Sequence, residues 1–493
     1  MPVRRSEMIE RLAMETFDLL VIGGGITGAG IAQDATYRGL RVALVDKGDF
    51  ASGTSHASTK LLHGGLRYLE HMEFKLMYEA LHERNRLTRL APHLAEWLPF
   101  LIPIYGTGWK MEKYGAGLWL YDLLAGFPKG NTHRRISREE ALQMAPYLKP
   151  EGLRGAYLYY DCRTNDTRLT VEVLSSAIKG GATAANYCKV TSLVKEQERV
   201  AGAYVEDTQT GATFMVRATA VVNATGPWAD YIMRMDRPAD PPRLAPSKGV
   251  HLIVPAGRLP VEGAVLAPSS TGDGRFIFVV PWQGAVLLGT TDTPWPIDPD
   301  LVDSDEADVA YILAAANGLF PNARLTRADV VSTIAGLRPL IKADKRSTAA
   351  MPREHKIWVS ESGLISMAGG KLTTYRTMAA EVVDLLLKRS GRRIPCRTGG
   401  LPLGQERMHA LKDLVATYPE LGAPLVEGLP VTRAEVAYAA LEEQALTADD
   451  FLARRSRLAL LDRHHGQRVR REVEDLLRRF DPEIFRTPAR KVM

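Results

Sequence analysis

The stretch FDLLVIGGGITGAGIAQDATYRGLRVALVD, residues 17–46, predicts the fold of the N-terminal part of this chain. Its first apolar run leads into Gly23, Gly25 and Gly28, which stand at G-x-G-x-x-G spacing. A helical pattern follows, and a second apolar run ends on Asp46. A strand, a glycine-rich turn, a helix and a second strand that ends in an acid form a dinucleotide-binding α/β unit.

Each residue type in this unit has a physical reason. Gly23 permits the tight turn, Gly25 lets the backbone approach a pyrophosphate, and Gly28 lets the helix pack close to the strand. The helix N-terminus offers free N–H groups to the phosphates. Asp46 is suited to accept hydrogen bonds from ribose hydroxyls. The motif by itself does not distinguish NAD from FAD.

Length and composition indicate a soluble multidomain protein. With 493 residues the chain exceeds one ordinary core, so we expect two or three domains. The three cysteines are widely spaced and fit neither a disulfide framework nor a zinc site, which favours a reducing, cytoplasmic setting. Histidines and aspartates show no ligand spacing, so no metal site is predicted.

The formal net charge of +6 is modest for this length. It is compatible with an anionic substrate or an anionic membrane surface and requires neither. No apolar run reaches transmembrane length, and we expect no secretory signal. Residues 7–14, before the first strand, are expected to form a frayed extension.

Three features favour FAD over a nicotinamide cofactor. No second G-x-G-x-x-G occurs in the sequence, so a separate nicotinamide domain is not expected. The turn 223–226 follows a late strand, like the second contact that FAD-binding folds make with their cofactor. The small and hydroxyl residues of 51–60 suit a loop beside a pyrophosphate and a flavin. We expect non-covalent FAD across 23–60 and 223–226.

The pattern of strands and helices divides the chain into six segments. The segment 96–165 is broken by Pro and Gly and rich in aromatic residues, which is typical of an insertion over a site. The predicted segments are an FAD-binding domain in three parts, 15–95, 166–235 and 341–398; the insertion or cap, 96–165; a substrate domain with an antiparallel sheet, 236–340; and a helical C-terminal domain, 399–493.

Further motifs follow in order along the chain: LHGGLRYL (62–69), NATGPW (223–228), GTTD (289–292), GLRPL (336–340) and GGKLTTYR (369–376). With these motifs the chain resembles the FAD-dependent, quinone-reducing glycerol-3-phosphate dehydrogenases. The resemblance covers about 15–400 and extends into the helical C-terminus. One departure is Asp46, where flavoenzymes of this group often have Glu.

The resemblance implies an α/β fold of the D-amino-acid and glycine oxidase type, with a Rossmann-like FAD domain and a helical C-terminal domain. It implies oxidation of sn-glycerol 3-phosphate to dihydroxyacetone phosphate, with electrons passed to a membrane quinone. The protein is then expected in the cytoplasm, attached peripherally to an anionic membrane surface at the inner face of the cell membrane. A homodimer is expected, and a nucleic-acid partner is not.

The resemblance also implies the cofactor contacts. Their predicted positions are Gly23, Gly25, Ile26, Thr27, Gly28, Asp46, Lys47, Ser55, Ser58, Thr59, Lys60, Leu62, His63, Gly64, Gly65, Ala224, Thr225, Gly226, Gly336, Arg338, Gly370, Lys371, Leu372 and Thr373.

The substrate phosphate carries nearly two charges, and arginine forks suit its geometry. Any one of the 63 Lys and Arg residues is more often a surface residue, so only motif context selects candidates. The cations selected in this way are Arg67, Arg338, Arg353 and Lys371, and the accessory hydrogen-bonding groups are Tyr68 and Thr374.

Oxidation at C2 also needs a base for the hydroxyl proton, and histidine suits that work near neutral pH. His63, inside the HGGLRY motif, is the first candidate. His251 is the second, with a satisfied structural histidine as an equal alternative. Arg338 beside the reacting centre is suited to stabilise the developing alkoxide.

Three other functions stay open from the sequence. The first is a glycerol-phosphate oxidase that passes electrons to oxygen, although we find no extra inserted segment of the kind such oxidases usually carry. The second is an amino-acid oxidase of the same fold, which explains HGGLRY less well. The third is a non-catalytic flavoprotein or nucleic-acid partner that uses the basic tail.

Two segments are candidates for membrane contact. The stretch 109–121 mixes Trp, Lys, Tyr and Leu in a way suited to a headgroup boundary, with a buried lid as an equal alternative. The second is the arginine-rich stretch after Arg454.

Overall fold

A computed structural model describes residues 3–66, 72–106, 108–128, 130–269, 271–272, 275–342 and 355–484. Three predicted substrate residues, Arg67, Tyr68 and Arg353, lie outside the described residues.

The strands, in chain order, are β1 (Thr16–Ile22), β2 (Val42–Val45), β3 (Leu61–Leu62), β4 (Glu96–Tyr105), β5 (Arg134–Ile136), β6 (Leu153–Arg163), β7 (Thr183–Ala185), β8 (Cys188–Glu196), β9 (Arg199–Asp207), β10 (Thr213–Asn223), β11 (Ser247–Pro255), β12 (Ala264–Pro268), β13 (Phe276–Trp282), β14 (Ala285–Gly289), β15 (Thr293–Pro294), β16 (Ser332–Arg338), β17 (His355–Val359) and β18 (Ile365–Gly369).

The α-helices are α1 (Arg5–Met14), α2 (Ile26–Tyr37), α3 (Phe74–Leu90), α4 (Gly108–Leu124), α5 (Arg138–Met144), α6 (Asp166–Lys179), α7 (Ala229–Asp236), α8 (Glu306–Leu319), α9 (Tyr375–Arg389), α10 (Gln405–Thr417), α11 (Arg433–Glu442), α12 (Leu458–Leu461) and α13 (Arg470–Arg479).

The first sheet carries the glycine-rich turn. Its parallel core has the order β18-β10-β1-β2-β7, and β17 and β9 extend it in antiparallel pairs. Strand β1 is a nearly continuous buried run, as expected for a strand covered on both faces, and the last three residues of β10 are buried beside it. Helices α2, α6 and α9 pack against each other on one face. This is the predicted Rossmann-like α/β domain.

The second sheet is mainly antiparallel and has the order β15-β11-β14-β13-β12-β4-β6-β3, with β16 paired to β11. The antiparallel substrate sheet expected from the sequence is therefore present.

The long strands β4 and β6 come from the segment 96–165, for which the sequence predicts an insertion over the site. They pair with each other and join the sheet through β12, so this segment contributes to the substrate sheet itself. The six-segment division otherwise stays a prediction.

The C-terminal residues form the expected helical unit. Helices α10, α11 and α13 surround an apolar cluster of their own. A capping box of Thr432 and Glu435 opens α11. One expectation was wrong: the residues before β1 are not a frayed extension but form α1, which is fixed by contacts with β10 and β7 and by an ion pair between Arg5 and Asp207.

Candidate functional site

The glycine-rich turn forms a tightly closed cradle between β1 and α2. Gly23 adopts a φ of +111°, and a Cβ at this position would lie 2.7 Å from the carbonyl oxygen of Ala224. A Cβ at Gly28 would lie 1.8 Å from the carbonyl oxygen of Gly23. No side chain fits at either position, so the turn brings the backbone close to the N-terminus of α2, whose partial positive charge favours an anion. The cradle fits a pyrophosphate.

The acid after β2 closes the other side of this turn. The Asp46 carboxylate accepts hydrogen bonds from the backbone N–H groups of Gly24 at 2.6 Å and Gly48 at 2.9 Å. Burial raises the pKa of Asp46 to about 6. Lys47 lies over the Trp228 ring, 4.4 Å from its centre. The carboxylate is therefore held in place beside the cradle, where a ribose would be bound.

The remaining predicted contacts with the cofactor phosphates lie at the same edge of the sheet. Ser55 accepts a hydrogen bond at its Oγ from the backbone N–H of Ile26, at 2.8 Å. Thr27 lies in the first turn of α2, and Ala224, Thr225 and Gly226 follow β10, the parallel neighbour of β1. The carboxyl ends of adjacent parallel strands meet there, as in other dinucleotide-binding sheets. These residues fit FAD.

A cavity opens between the 54–63 segment, the second sheet and the turn before α9. Its lining residues are Thr54, Ala57, Ser58, Thr59, Leu61, His63, Gly249, His251, Gly336, Leu337, Arg338, Lys371, Leu372 and Thr373. The structure thus brings together both candidate bases and two of the candidate cations. Apart from the contacts at the glycine-rich turn and after β2 and β10, the described predicted contacts that do not line this cavity are Lys60, Leu62, Gly64, Gly65, Gly370 and Thr374.

His63 lies just after β3 and lines the cavity. Its backbone N–H donates to Thr373 Oγ1 at 3.2 Å, and its ring packs edge-on against Phe278. The next residue, Gly64, donates its N–H to the Tyr121 hydroxyl at 3.0 Å and to Asp161 Oδ1 at 3.2 Å. These buried side chains of α4 and β6 hold the HGG segment.

His251 lies on β11 and is 2% exposed. Its Nε2 is 3.0 Å from Thr59 Oγ1, and its Nδ1 has no hydrogen-bond partner among the described residues. Burial lowers the pKa of His251 to about 3, and the nearby cations Arg338 and Lys60 add to the effect. The ring is therefore neutral at pH 7 and keeps a lone pair that can accept a proton.

Arg338, the last residue of β16, is fixed over the backbone of β11. Its Nη2 donates to Thr290 Oγ1 at 2.9 Å and to the Thr291 carbonyl at 3.1 Å. A Cβ at Gly249 would lie 2.4 Å from Nη2 of Arg338, so only glycine leaves room for the guanidinium. Lys371 lies at the turn after β18.

Thr374 is 1% exposed and lies behind that turn rather than in the cavity. Its hydroxyl is 3.5 Å from the Lys371 carbonyl and 3.6 Å from the Met378 sulfur. In this arrangement it supports the turn that carries Lys371.

Several residues of the site carried no signal in the sequence. Asp161 and Tyr121 support Gly64, and Thr54 donates its hydroxyl to the Leu337 carbonyl at 2.6 Å. Asp166 holds Lys60 and Ser58 from α6. Thr54 lies in the 51–60 segment that the sequence indicated, but the other three belong to none of the site motifs. Each partner lies more than 50 residues away in sequence, so spacing offered no way to find these contacts.

Comparison with known proteins agrees with this geometry. Residues 18–376 match the family of FAD dependent oxidoreductases, and residues 403–480 match the C-terminal domain of alpha-glycerophosphate oxidase. The chain is 38% identical to glycerol-3-phosphate dehydrogenase 2 of Mycobacterium tuberculosis, over 97% of this chain and 87% of that protein.

Solved structures give the same result. The glycerol-3-phosphate dehydrogenase from Bacillus halodurans, solved as a complex with FAD, superposes with a TM-score of 0.76 at 33% identity and covers 98% of this chain and 99% of that one. Glycine oxidase from Geobacillus kaustophilus shares the fold, with a TM-score of 0.58 at 24% identity, covering 80% of this chain and 99% of that one. This chain belongs to the FAD-dependent oxidoreductases and, among them, to the glycerol-3-phosphate dehydrogenase family.

Proposed function

We propose that this protein oxidises sn-glycerol 3-phosphate at C2 to dihydroxyacetone phosphate and passes the electrons to a membrane quinone. The proposal rests on the observation that His63, His251, Arg338 and Lys371 all line one cavity beside the cofactor segment. Oxidation of a phosphorylated alcohol requires a proton acceptor, for which the cavity offers two histidines. It also requires neutralisation of the phosphate dianion, for which the cavity offers two cations.

FAD, when bound, supplies the acceptor for the hydride that leaves C2. The cradle of Gly23 and Gly28 and the carboxylate of Asp46 would hold its pyrophosphate and ribose. The protein contributes binding, orientation and the proton acceptor.

The two cations, Arg338 and Lys371, suit different roles. Arg338 is anchored by Thr290 and Thr291, which suits a fixed donor for the alkoxide that develops on the substrate oxygen. Lys371 lies at the turn before α9 with its Nζ buried, and its compact charge suits the terminal phosphate. His63 remains our first candidate for the base and His251 the second.

Anaerobic titration tests the substrate. Glycerol 3-phosphate is expected to bleach the bound flavin rapidly, glycerol far more slowly, and amino acids not at all. Bleaching by an amino acid alone would instead indicate an amino-acid oxidase. Stopped-flow reoxidation of the reduced enzyme is expected to be fast with a quinone analogue and slow with air, and the reverse order would indicate an oxidase.

The membrane part of the proposal rests on α4. Among the described residues, no helix is long and apolar enough to cross a bilayer. Helix α4 exposes Trp109 at 76% and Trp119 at 55%, with the exposed Lys110 and Lys113 on the same segment. Indole rings next to lysines suit an anionic headgroup boundary.

The opposite face of α4 is buried. Met111, Leu118 and Tyr121 pack into the core of the second sheet, so the segment is a membrane candidate on one face and a lid on the other. The second candidate, the basic stretch after Arg454, is weaker because the side chains of Arg455 and Arg457 are 1% and 0% exposed. We therefore propose attachment through the Trp109–Trp119 face.

Flotation with anionic liposomes tests this surface. The unmutated protein is expected to float with the vesicles, and a Trp109→Glu, Trp119→Glu double variant is expected to remain below. Tyr204→Glu with Leu301→Glu changes two exposed apolar residues elsewhere and serves as the control. Equal flotation of both double variants would exclude α4. Light scattering of the detergent-free protein tests the proposed homodimer.

A further inference from the structure

A side chain of the C-terminal helical unit lies buried in the FAD-binding half of the molecule. The Arg457 side chain is 0% exposed. Its Nη2 donates to the carbonyl oxygen of His56 at 2.9 Å, across a sequence separation of 401 residues. The same nitrogen is 3.7 Å from Asp166 Oδ1.

Arg457 meets a second buried cation at this point. Lys60 Nζ donates to the His56 carbonyl at 2.5 Å and to Asp166 Oδ2 at 2.6 Å. Although burial opposes ionisation of Asp166, Lys60 and Arg457 outweigh it and lower the pKa of Asp166 to about 2. Burial, with Arg457, lowers the pKa of Lys60 to about 7. We call Lys60, Asp166, Arg457 and the His56 carbonyl the junction cluster.

The junction cluster fixes the short segment that lines the cavity. Asp166 Oδ2 accepts hydrogen bonds from the Ser58 backbone N–H at 3.0 Å and the Ser58 hydroxyl at 2.7 Å. The segment is thus held at His56, Ser58 and Lys60. Thr59, in the middle of it, places its Oγ1 3.0 Å from Nε2 of His251.

We infer that Arg457 is a positioning residue for the site: it holds the His56–Lys60 segment so that the Thr59 hydroxyl fixes the ring of His251. The inference rests on the proposed function, because His251 matters through the chemistry of the cavity. It gives the C-terminal helical unit a role in catalysis that is exerted through one side chain.

The charges of the junction cluster indicate that Arg457 can be replaced without loss of the fold. Two cations share one carboxylate, so removal of Arg457 leaves Lys60 and Asp166 as a matched pair. Loss of a surplus buried cation does not leave an orphan charge behind. A methionine, which replaces the stem of the arginine side chain without its charge, is therefore expected to fold and to keep FAD.

The test is a double-mutant cycle of Arg457→Met and Thr59→Val on the rate of anaerobic flavin reduction by saturating glycerol 3-phosphate. Each single variant is expected to lower the rate constant about tenfold, since small misplacements near reacting atoms are costly. The double variant is expected to be no slower than the slower single variant, because both changes break one path. Substrate affinity is expected to stay within about twofold.

A crystal structure of Arg457→Met supplies a readout that does not depend on activity: the distance from Thr59 Oγ1 to His251 Nε2 is expected to lengthen beyond hydrogen-bonding range.

Arg454→Met is the matched control, because Arg454 lies at the same domain junction but pairs with Asp49 and contacts no member of the cluster. Its reduction rate is expected to be normal. Arg457→Gln, which keeps a neutral donor, repeats the cycle if the methionine variant does not fold.

Normal reduction in the Arg457 variant, or single effects that multiply in the double variant, would overturn the inference. An unchanged distance between Thr59 and His251 in the variant crystal would do the same. Failure of glycerol 3-phosphate to bleach the unmutated enzyme would instead reject the proposed function, and the crystallographic distance would still test the positioning role.

Discussion

The hydroxyl of Thr59 lies 3.0 Å from Nε2 of His251, and this contact joins the cofactor segment to the substrate sheet. Thr59 lies in the segment 51–60, which follows β2 of the first sheet, whereas His251 lies on β11 of the second sheet. The His251 ring is buried and neutral, because its pKa is about 3. The candidate chemistry is thus located where the two sheets meet.

The first prediction concerns the base. His63→Ala is expected to lower the rate of flavin reduction at saturating substrate by on the order of a hundredfold or more, because general-base catalysis contributes that much. Anaerobic stopped-flow absorbance at the flavin band measures it. His251→Ala is the comparison. If the His251 variant is the slower one, and the unmutated rate shows no decline toward acid above its pKa of about 3, then His251 is the base.

The second prediction concerns the cations. Arg338→Ala and Lys371→Ala are each expected to lower kcat/KM for glycerol 3-phosphate by roughly ten- to a hundredfold, because each loses a charge-assisted contact of about 1.5–3 kcal/mol. The FAD content, read from the flavin absorbance, is expected to fall far less than kcat/KM. Glycerol, which lacks the phosphate, serves as the matched substrate: for Lys371→Ala its slow oxidation is expected to be almost unaffected. Equal losses on both substrates would place the phosphate elsewhere.

The third prediction concerns pH and cofactor binding. Burial raises the pKa of Asp46 in the FAD-free protein to about 6, so its carboxylate is lost as the pH falls through that value. Ribose hydroxyls need the ionised acceptor, so the Kd for FAD is expected to rise below pH about 6, by up to about tenfold per unit. Quenching of flavin fluorescence on binding to the apoprotein measures it.

Asp46→Asn supplies the control for this pH dependence. Its Kd is expected to be higher at neutral pH and nearly flat between pH 5 and 7, approximately, because the amide does not titrate. The raised pKa also means that the folded apoprotein binds the proton more tightly than the unfolded chain, so this carboxyl costs stability as the pH rises through its titration range. A Kd profile of the variant that matches the unmutated protein would assign the pH dependence to another group.

The fourth prediction concerns the domain junction. Asp49, with its side chain 0% exposed, accepts from Arg455 at 2.8 and 2.9 Å and also pairs with Arg454. Asp49→Asn removes the carboxylate that these two arginines share and leaves Arg454 with Asp450 at 2.6 Å and Arg455 with Glu443 at 3.5 Å. Because a buried ion pair is broken, the variant is expected to destabilise the protein by about 3–5 kcal/mol. Asp449→Asn also removes a carboxylate from an arginine, Arg470, but in an exposed pair, and is expected to cost at most about 1 kcal/mol.

Urea unfolding followed by intrinsic fluorescence compares the two variants. A similar midpoint for Asp49→Asn and Asp449→Asn would show that the buried pair contributes no more than the exposed one.

The sequence by itself determined the first unit of the fold. The apolar run, the three glycines, the helix and Asp46 lie within 30 residues, so their pattern reflects a local geometry that the chain cannot realise in another way. The same holds for the capping box at Thr432, which involves only the first turn of α11. Motif order then led to the family, and the cavity is lined by His63, Arg338 and Lys371, which the motifs contain, together with His251.

Only the tertiary structure decided which side chains support that cavity and which face of a segment is exposed. Arg457 and Asp166 lie outside the motifs, and Arg457 reaches His56 across 401 residues. The arginine-rich stretch looked like a surface, yet Arg455 is buried against Asp49. A sequence pattern shows which residues lie near each other along the chain. Ion pairs in the interior depend on which elements pack together, and that is set by the burial of the whole core.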